Sequence, residues 1–289
     1  MKPIHIAAVV IALLVTAGLY FGANTIPPVK KPGAEQQRPS GNMPAAGNMP
    51  GVELPEPADF DSLKTAVVKK MSPQLAARIK DKEQQVATAA SEPLKIAANE
   101  ELAALWQSFK YPAIAAHYFA EAAKLENSEK KLNFAAHLFF EQLKQEHNPN
   151  VRQWMADNAI DCFTKVLAIN PLNDEARIDL ASIYIDGTGE TMKGVQELLT
   201  ITRRDSTNLE VNLILGRMAV ESGQLDKAIA RGELILRHYK DNWQTRVFMA
   251  EAYKRDGKPE KAKALLNEAK SIKNDPAFSK DVDEYMKTF

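Results

Sequence analysis

The 289-residue chain is short of the residues from which most chemical sites are built. It holds a single cysteine, Cys162, which excludes an internal disulfide and any cysteine pair with metal-ligand spacing. Its five histidines, His5, His117, His137, His147 and His238, never fall into a His-Glu-x-x-His arrangement. No glycine-rich loop closes on Gly-Lys-Ser/Thr, and there is no Gly-x-Ser-x-Gly elbow. Asp186-Gly187-Thr188-Gly189-Glu190 lacks the alternating oxygen ligands and closing glutamate of a calcium loop. An excess of either charge is also missing, since 37 Lys and Arg balance 37 Asp and Glu, so no overall basic field attracts a polynucleotide. These absences lead us to expect no catalytic residue, no metal, no cofactor and no nucleic-acid partner.

Long apolar runs are scarce as well, with one exception. Ile4 to Ala23 is apolar apart from His5 and Thr16, about the 20 residues that a hydrocarbon core about 30 Å thick requires. A cleaved secretory signal would end on small residues, whereas this run ends Leu19-Tyr20-Phe21-Gly22-Ala23-Asn24, so residues 1–23 are expected to be a retained single-pass anchor. Lys30, Lys31 and Arg38 after the run lean toward a cytoplasmic C-terminal side. The short cationic head before it is typical of an uncleaved signal anchor, which places the remainder on the exported, periplasmic side. Residues 24–58 hold eight of the sixteen prolines and few large apolar residues, and so are expected to form an extended linker without a core.

Helical patterning begins after Asp59. In residues 59–92, Phe60, Leu63, Val67 and Met71 share a face, Ser72-Pro73 supplies an N-cap and a first helical residue, and Leu75, Ile79 and Val86 continue a second helix. Such helices suit either self-association through residues 60–90 or packing on the edge of a larger helical body. Residues 93–173 read as denser helices, with Leu102, Leu105, Trp106 and Phe109 on one face, and with His117 and His137 beside aromatic faces as partly buried imidazoles. Cys162 lies in a helix next to Phe163, where a small packed hydrophobe is expected.

From Asn173 to Pro276 the sequence repeats itself at a spacing of 34 or 35 residues. Leu180, Leu215 and Met249 recur, each followed by a small residue, Ala181, Gly216 or Ala250. Gly194, Ala228 and Ala262 recur 34 apart, each followed four residues later by Leu198, Gly232 or Leu266. Asn173, Asn208 and Asn242 stand where each first helix should begin and are good N-caps. Gly187 and Gly189, Gly223, and Gly257 mark the turn between helix A and helix B of each unit. A period of this length signals a solenoid of helical pairs. The small residues should let the two helices of a pair approach closely.

This frame resembles the tetratricopeptide repeat family, and Ser222-Gly223-Gln224-Leu225-Asp226-Lys227-Ala228-Ile229 is especially similar to its turn and second-helix opening. Gly232 departs from the family, which prefers a large residue there, and Thr188 to Thr191 carries one residue more than the family turn. The resemblance implies an all-α, right-handed α-solenoid. Three regular units cover 174–276, 93–173 are degenerate units, and a capping helix occupies 277–289. It further implies a protein or peptide partner held against helix A. Carried over by position, the lining is Ile178, Ser182 and Ile185, then Leu213, Arg217 and Val220, then Val247, Glu251 and Lys254. The lysine, asparagine and arginine with which one relative clamps the C-terminal carboxylate of chaperone tails are replaced here by Ile178/Ser182, Leu213/Arg217 and Val247/Glu251. The expectation is therefore a membrane-tethered scaffold of bacterial type that binds a protein segment on a mixed, rather apolar face. The alternatives are a chaperone-like binder of exported or unfolded clients and, from another class, an enzyme carried on a solenoid.

Overall fold

A computed structural model describes residues 55–289. The apolar run 4–23 and the proline-rich segment up to residue 54 lie outside the described residues. Among those described, no helix is long and apolar enough to cross a membrane.

Thirteen α-helices account for the ordered elements of the described residues, which contain no strand. In chain order they are α1 Phe60–Val68, α2 Pro73–Thr88, α3 Glu92–Ser108, α4 Pro112–Glu126, α5 Glu129–Leu143, α6 Pro149–Ile169 and α7 Asp174–Ser182. Then follow α8 Thr191–Arg204, α9 Leu209–Glu221, α10 Leu225–His238, α11 Trp243–Arg255, α12 Pro259–Lys273 and α13 Pro276–Met286. Successive helices pack against one another in pairs, α3 with α4, α5 with α6, α7 with α8, α9 with α10 and α11 with α12, so the core is a series of linked apolar clusters rather than one centre.

The polar residues at the helix starts do the capping work expected of them. The side chains of Asn173, Asn208 and Asn242 accept hydrogen bonds from the amides of Ala176, Val211 and Thr245 at 3.0, 3.1 and 2.8 Å. Ser72 caps α2 with Pro73 at its first position. Asp275 repeats the arrangement at the head of α13, accepting from Ala277 and Phe278. The last helix thus starts as another helix A.

The turns are governed by Gly189, Gly223 and Gly257, whose φ values of 73, 73 and 71° are left-handed and 34 residues apart. Equal spacing here corrects the placement of the extra residue in the first unit. It does not lengthen the turn at Thr188 to Thr191. Helix α7 instead widens into a single π-helical stretch at Ile183–Gly187, where the i to i+5 pattern absorbs one additional residue. The π stretch sits against the preceding pair, with the Gly187 Cα facing Leu143 and Ala156.

Two further features follow from close packing. A Cβ on Gly194 would lie 2.6 Å from the Ala181 carbonyl oxygen, so the α7–α8 approach depends on small residues as the repeat pattern implied. Gly216 serves a different purpose. A Cβ there would meet the Phe248 ring at 2.8 Å, so its room is taken by the next helix A rather than by its own pair partner. Gly232, out of line with the repeat pattern, faces Met249, whose Cγ and Sδ would stand 2.2 Å from an added Cβ. Methionine fills the space that a large residue at 232 would otherwise fill.

The N-terminal helices are folded onto this array. Phe60 stacks on His117 with ring centroids 3.7 Å apart and on Trp154 at 5.7 Å, while the Ala58 amide donates to the Asn150 carbonyl at 2.9 Å. Leu63 packs against the α4–α6 core, and Val67, Met71 and Val86 against the cluster around Ile79, Leu102 and Trp106. Phe60, Leu63, Val67, Met71 and Val86 are thus partly buried within the chain. Lys64 bridges α1 to α2 through Glu83 at 2.8 Å, and the Tyr118 hydroxyl donates to the same carboxylate. The long connection before α6 is closed by Arg152, which donates to the carbonyls of Leu143 and Glu146. Cys162 is fully buried, and burial pushes its thiol up to about 12, far from the thiolate that nucleophilic or metal chemistry needs.

Candidate functional site

Helices α5, α7, α9, α11 and α13 occupy the helix A positions and meet side by side through polar links. Lys131 of α5 pairs with Glu100 of α3 at 2.7 Å. His137 of α5 pairs with Asp179 of α7 at 2.9 Å. Arg255 of α11 donates to the Val220 carbonyl of α9 at 3.0 Å. The Tyr285 hydroxyl of α13 donates to Glu251 of α11, and Lys254 donates to Thr288 at 2.7 Å. One seam differs. Among the described residues no side-chain hydrogen bond or ion pair joins α7 to α9, whose Ile178, Ala181, Val211 and Leu215 share an apolar cluster with Leu198 and Ile201 of α8.

The nine positions implied by the repeat do not share one environment. Ile178 and Val220 are buried, at 7 and 4% exposure, and belong to the packing between units. Ile185 turns toward α8, with its Cγ1 2.6 Å from where a Gly194 Cβ would stand. Leu213 and Val247 are half-buried against apolar clusters. Ser182 is half-buried and its hydroxyl donates to the Ile178 carbonyl at 3.0 Å. Glu251 accepts from Tyr285 and from Arg255, the latter at 2.6 Å. Burial pushes the Glu251 carboxyl up, but those two donors outweigh it and hold the group below the usual glutamate range. The Lys254 ammonium lies 4.2 Å from the Tyr285 ring centroid and 4.5 Å from that of Phe289. Arg217 alone of the nine is exposed, and it makes no hydrogen bond or ion pair with any described residue.

The α11 positions are therefore engaged by the chain's own C-terminal residues. What stays accessible on this face is the stretch running from Ser182 through Leu213 to Arg217. Toward the N-terminal ends of α7 and α9 lies a cleft of about 420 Å³ lined by His137, Asp174, Glu175, Ile178, Asp179, Asn208 and Glu210. Apart from Ile178, and Asn208 as an N-cap, the repeat pattern did not point to these residues. His137 belongs to a helix that the 34-residue period does not reach, and Asp174, Glu175 and Glu210 look in sequence like ordinary first-turn acids that complement the helix dipole. The Asp179 carboxylate holds the His137 imidazole above the usual histidine range against the opposing effect of burial. Among the described residues no group of three or more histidine, cysteine or acidic side chains is arranged to hold a metal ion.

No curated protein matches the chain in sequence. Several solved structures resemble it at low identity. YrrB, described as a TPR protein with an unusual peptide-binding site, is 17% identical over 65% of this chain and 91% of its own, with a TM-score of 0.45. MamA from Desulfovibrio magneticus RS-1 is 14% identical over 62 and 95% of the two chains, with a TM-score of 0.47. A tetratricopeptide repeat protein from Parabacteroides merdae ATCC 43184 is 16% identical over 79 and 84%, with a TM-score of 0.48. Residues 219–280, from the end of α9 into α13, match the family model described as Tetratricopeptide repeat, which supports reading these helical pairs as tetratricopeptide repeats.

Proposed function

We propose that this protein is a membrane-tethered tetratricopeptide-repeat scaffold that holds a segment of a partner protein on the helix A face between α7 and α9. The observation that carries the reading is the contrast along that face. Polar links join α5 to α7, α9 to α11 and α11 to α13, whereas the α7–α9 seam has none, leaves Arg217 exposed, and carries an open cleft lined by the N-terminal ends of α7 and α9. A half-buried leucine flanked by an exposed cation and a polar cleft suits a segment that presents one apolar anchor and a few polar contacts. Tethering is proposed on the apolar run 4–23 and the proline-rich linker that follows it, which would raise the local concentration of the bound partner beside a membrane. We place the helical body on the exported side.

Two experiments test the two halves separately. Photo-crosslinking from positions 182 and 217 in cells should give discrete adducts that positions on α10 and α12 do not give. Removing residues 1–23 should release the protein from the membrane fraction while leaving its helical signal intact. Adducts of equal yield from both faces would refute the first half, and unchanged membrane association after the deletion would refute the second.

A further inference from the structure

The seam between α5 and α7 is where the irregular N-terminal helices meet the first regular unit, and it is held at two points on α5. At the first turn, the Glu129 carboxylate accepts from the side-chain amides of Asn170 and Asn173, both at 2.9 Å. Two turns later stands His137. Its Nε2 is 2.9 Å from the Asp179 carboxylate and its Nδ1 is 2.8 Å from the Asn133 carbonyl oxygen of its own helix. Its ring meets Phe163 of α6 edge to face at 5.3 Å, which fixes its orientation.

Both ring nitrogens thus face oxygen atoms that can only accept. A neutral imidazole has one N–H and cannot serve both; in either tautomer one nitrogen lone pair is set against an oxygen. The imidazolium donates to both. The charges around the ring favour that form. Asp179 and Glu175 of α7 both favour the charged ring, Asp174 of α7 is already paired with Arg204, Glu210 of α9 lines the same cleft, and α6 presents Phe163. With the second proton present, His137 is the cation among these acids. Without it, every charged side chain lining the cleft is negative.

We propose that the His137–Asp179 pair is a proton-operated clasp on the α5–α7 seam, closed while the imidazole carries its second proton and loosened when it loses it. The Glu129 contacts with two uncharged amides do not depend on that proton and keep the helices in register, so the clasp adjusts the seam without opening the array. The inference is independent of the proposed partner, because it concerns only groups of this chain.

The test follows the histidine signals of the full-length chain, labelled in the imidazole carbons, from acid to alkaline pH, with the His137 signal identified by its loss in His137→Gln. The midpoint is expected above about 6.5, the usual histidine value, and should fall back toward about 6.5 in Asp179→Asn. The backbone amide of Leu180, next to Asp179, should shift with the same midpoint in the wild type and lose that dependence in His137→Gln. A His137 midpoint at or below about 6.5, a midpoint unchanged in Asp179→Asn, or a Leu180 amide that ignores the titration would each overturn the proposal.

Discussion

The Tyr285 hydroxyl donates to the carboxylate of Glu251, the residue 34 positions before it. The interval is the repeat period itself, so α13 sits on α11 as the next helix A would. Lys254 repeats the relationship with Thr288, again 34 positions on, and its ammonium lies against the rings of Tyr285 and Phe289. The residues of α13 and its C-terminal end that face away from α11, Asp281, Asp283, Glu284 and Lys287, are exposed and charged.

Removing the Tyr285 hydroxyl should destabilise the α11–α13 contact. Tyr285→Phe leaves Glu251 half-buried with one fewer donor, and the expected loss is about 1 kcal/mol in denaturant unfolding. The Glu251 carboxyl is held below its ordinary range in the fold, so its contribution is present above its unfolded pKa and is lost as pH falls through the folded one. The difference between wild type and Tyr285→Phe should accordingly shrink in acid, below the ordinary glutamate range. An equal difference at neutral pH and in strong acid would contradict the assignment.

Gly232 and Met249 should behave as a coupled pair. Gly232→Ala places a methyl group against the Met249 side chain and is expected to cost about 1 to 3 kcal/mol through overpacking. Met249→Ala alone should also destabilise, by leaving a cavity. In the double variant the added methyl finds room, so unfolding measurements around the cycle should show a favourable interaction of about 1 kcal/mol. Additive losses would mean that the two sites do not share that space.

The π stretch at Ile183–Gly187 makes α7 unusual in its tolerance of a deletion. Removing the exposed Asp186 takes out the surplus residue and restores the spacing seen between Leu215 and Gly223. Circular dichroism should report a fully helical, cooperatively melting protein. Removing Arg217 from α9, which has no surplus residue, should rotate the rest of that helix by about 100° per residue and break its packing. Similar melting for the two deletions would refute the view of the π stretch as an absorbed insertion.

Much of this arrangement was legible in the chain. Asn173, Asn208 and Asn242 announced the starts of three helices because an N-cap acts through its own backbone neighbourhood and needs no tertiary partner. The regular spacing of Leu180, Leu215 and Met249 likewise reflects a contact each unit makes with itself and its neighbour. The rest depended on packing that spacing alone does not encode. One extra residue between Leu180 and Gly194 fits a longer turn or a wider helix, and only the left-handed Gly189 fixes it in the helix. Ile178 and Val220 occupy the same face as Arg217 in a helical projection, yet the adjoining units cover the first two and leave the third exposed. The cleft beside His137 escaped the repeat pattern because α5 lies outside the 34-residue period.

His117 should dominate the acid side of the stability profile. Burial lowers its pKa to about 4, so it is neutral in the fold, packed beneath Phe60. Between the unfolded value of about 6.5 and the folded value of about 4, the unfolded chain binds the extra proton, and stability falls as pH falls. The slope should approach about 1.4 kcal/mol per pH unit within that window. His117→Phe keeps an aromatic ring against Phe60 and should flatten the slope. A slope unchanged in this variant would assign the acid sensitivity to other groups.

A partner segment held on the helix A face between α7 and α9 should be captured by in-cell photo-crosslinking from position 217. Position 233 on the exposed side of α10 provides the comparison. A discrete crosslinked species is expected from position 217 that is absent from position 233 and that weakens when Leu213 is changed to aspartate in a protein that still melts cooperatively. Crosslinks of equal yield from both positions, or a species from 217 indifferent to Leu213→Asp, would contradict it.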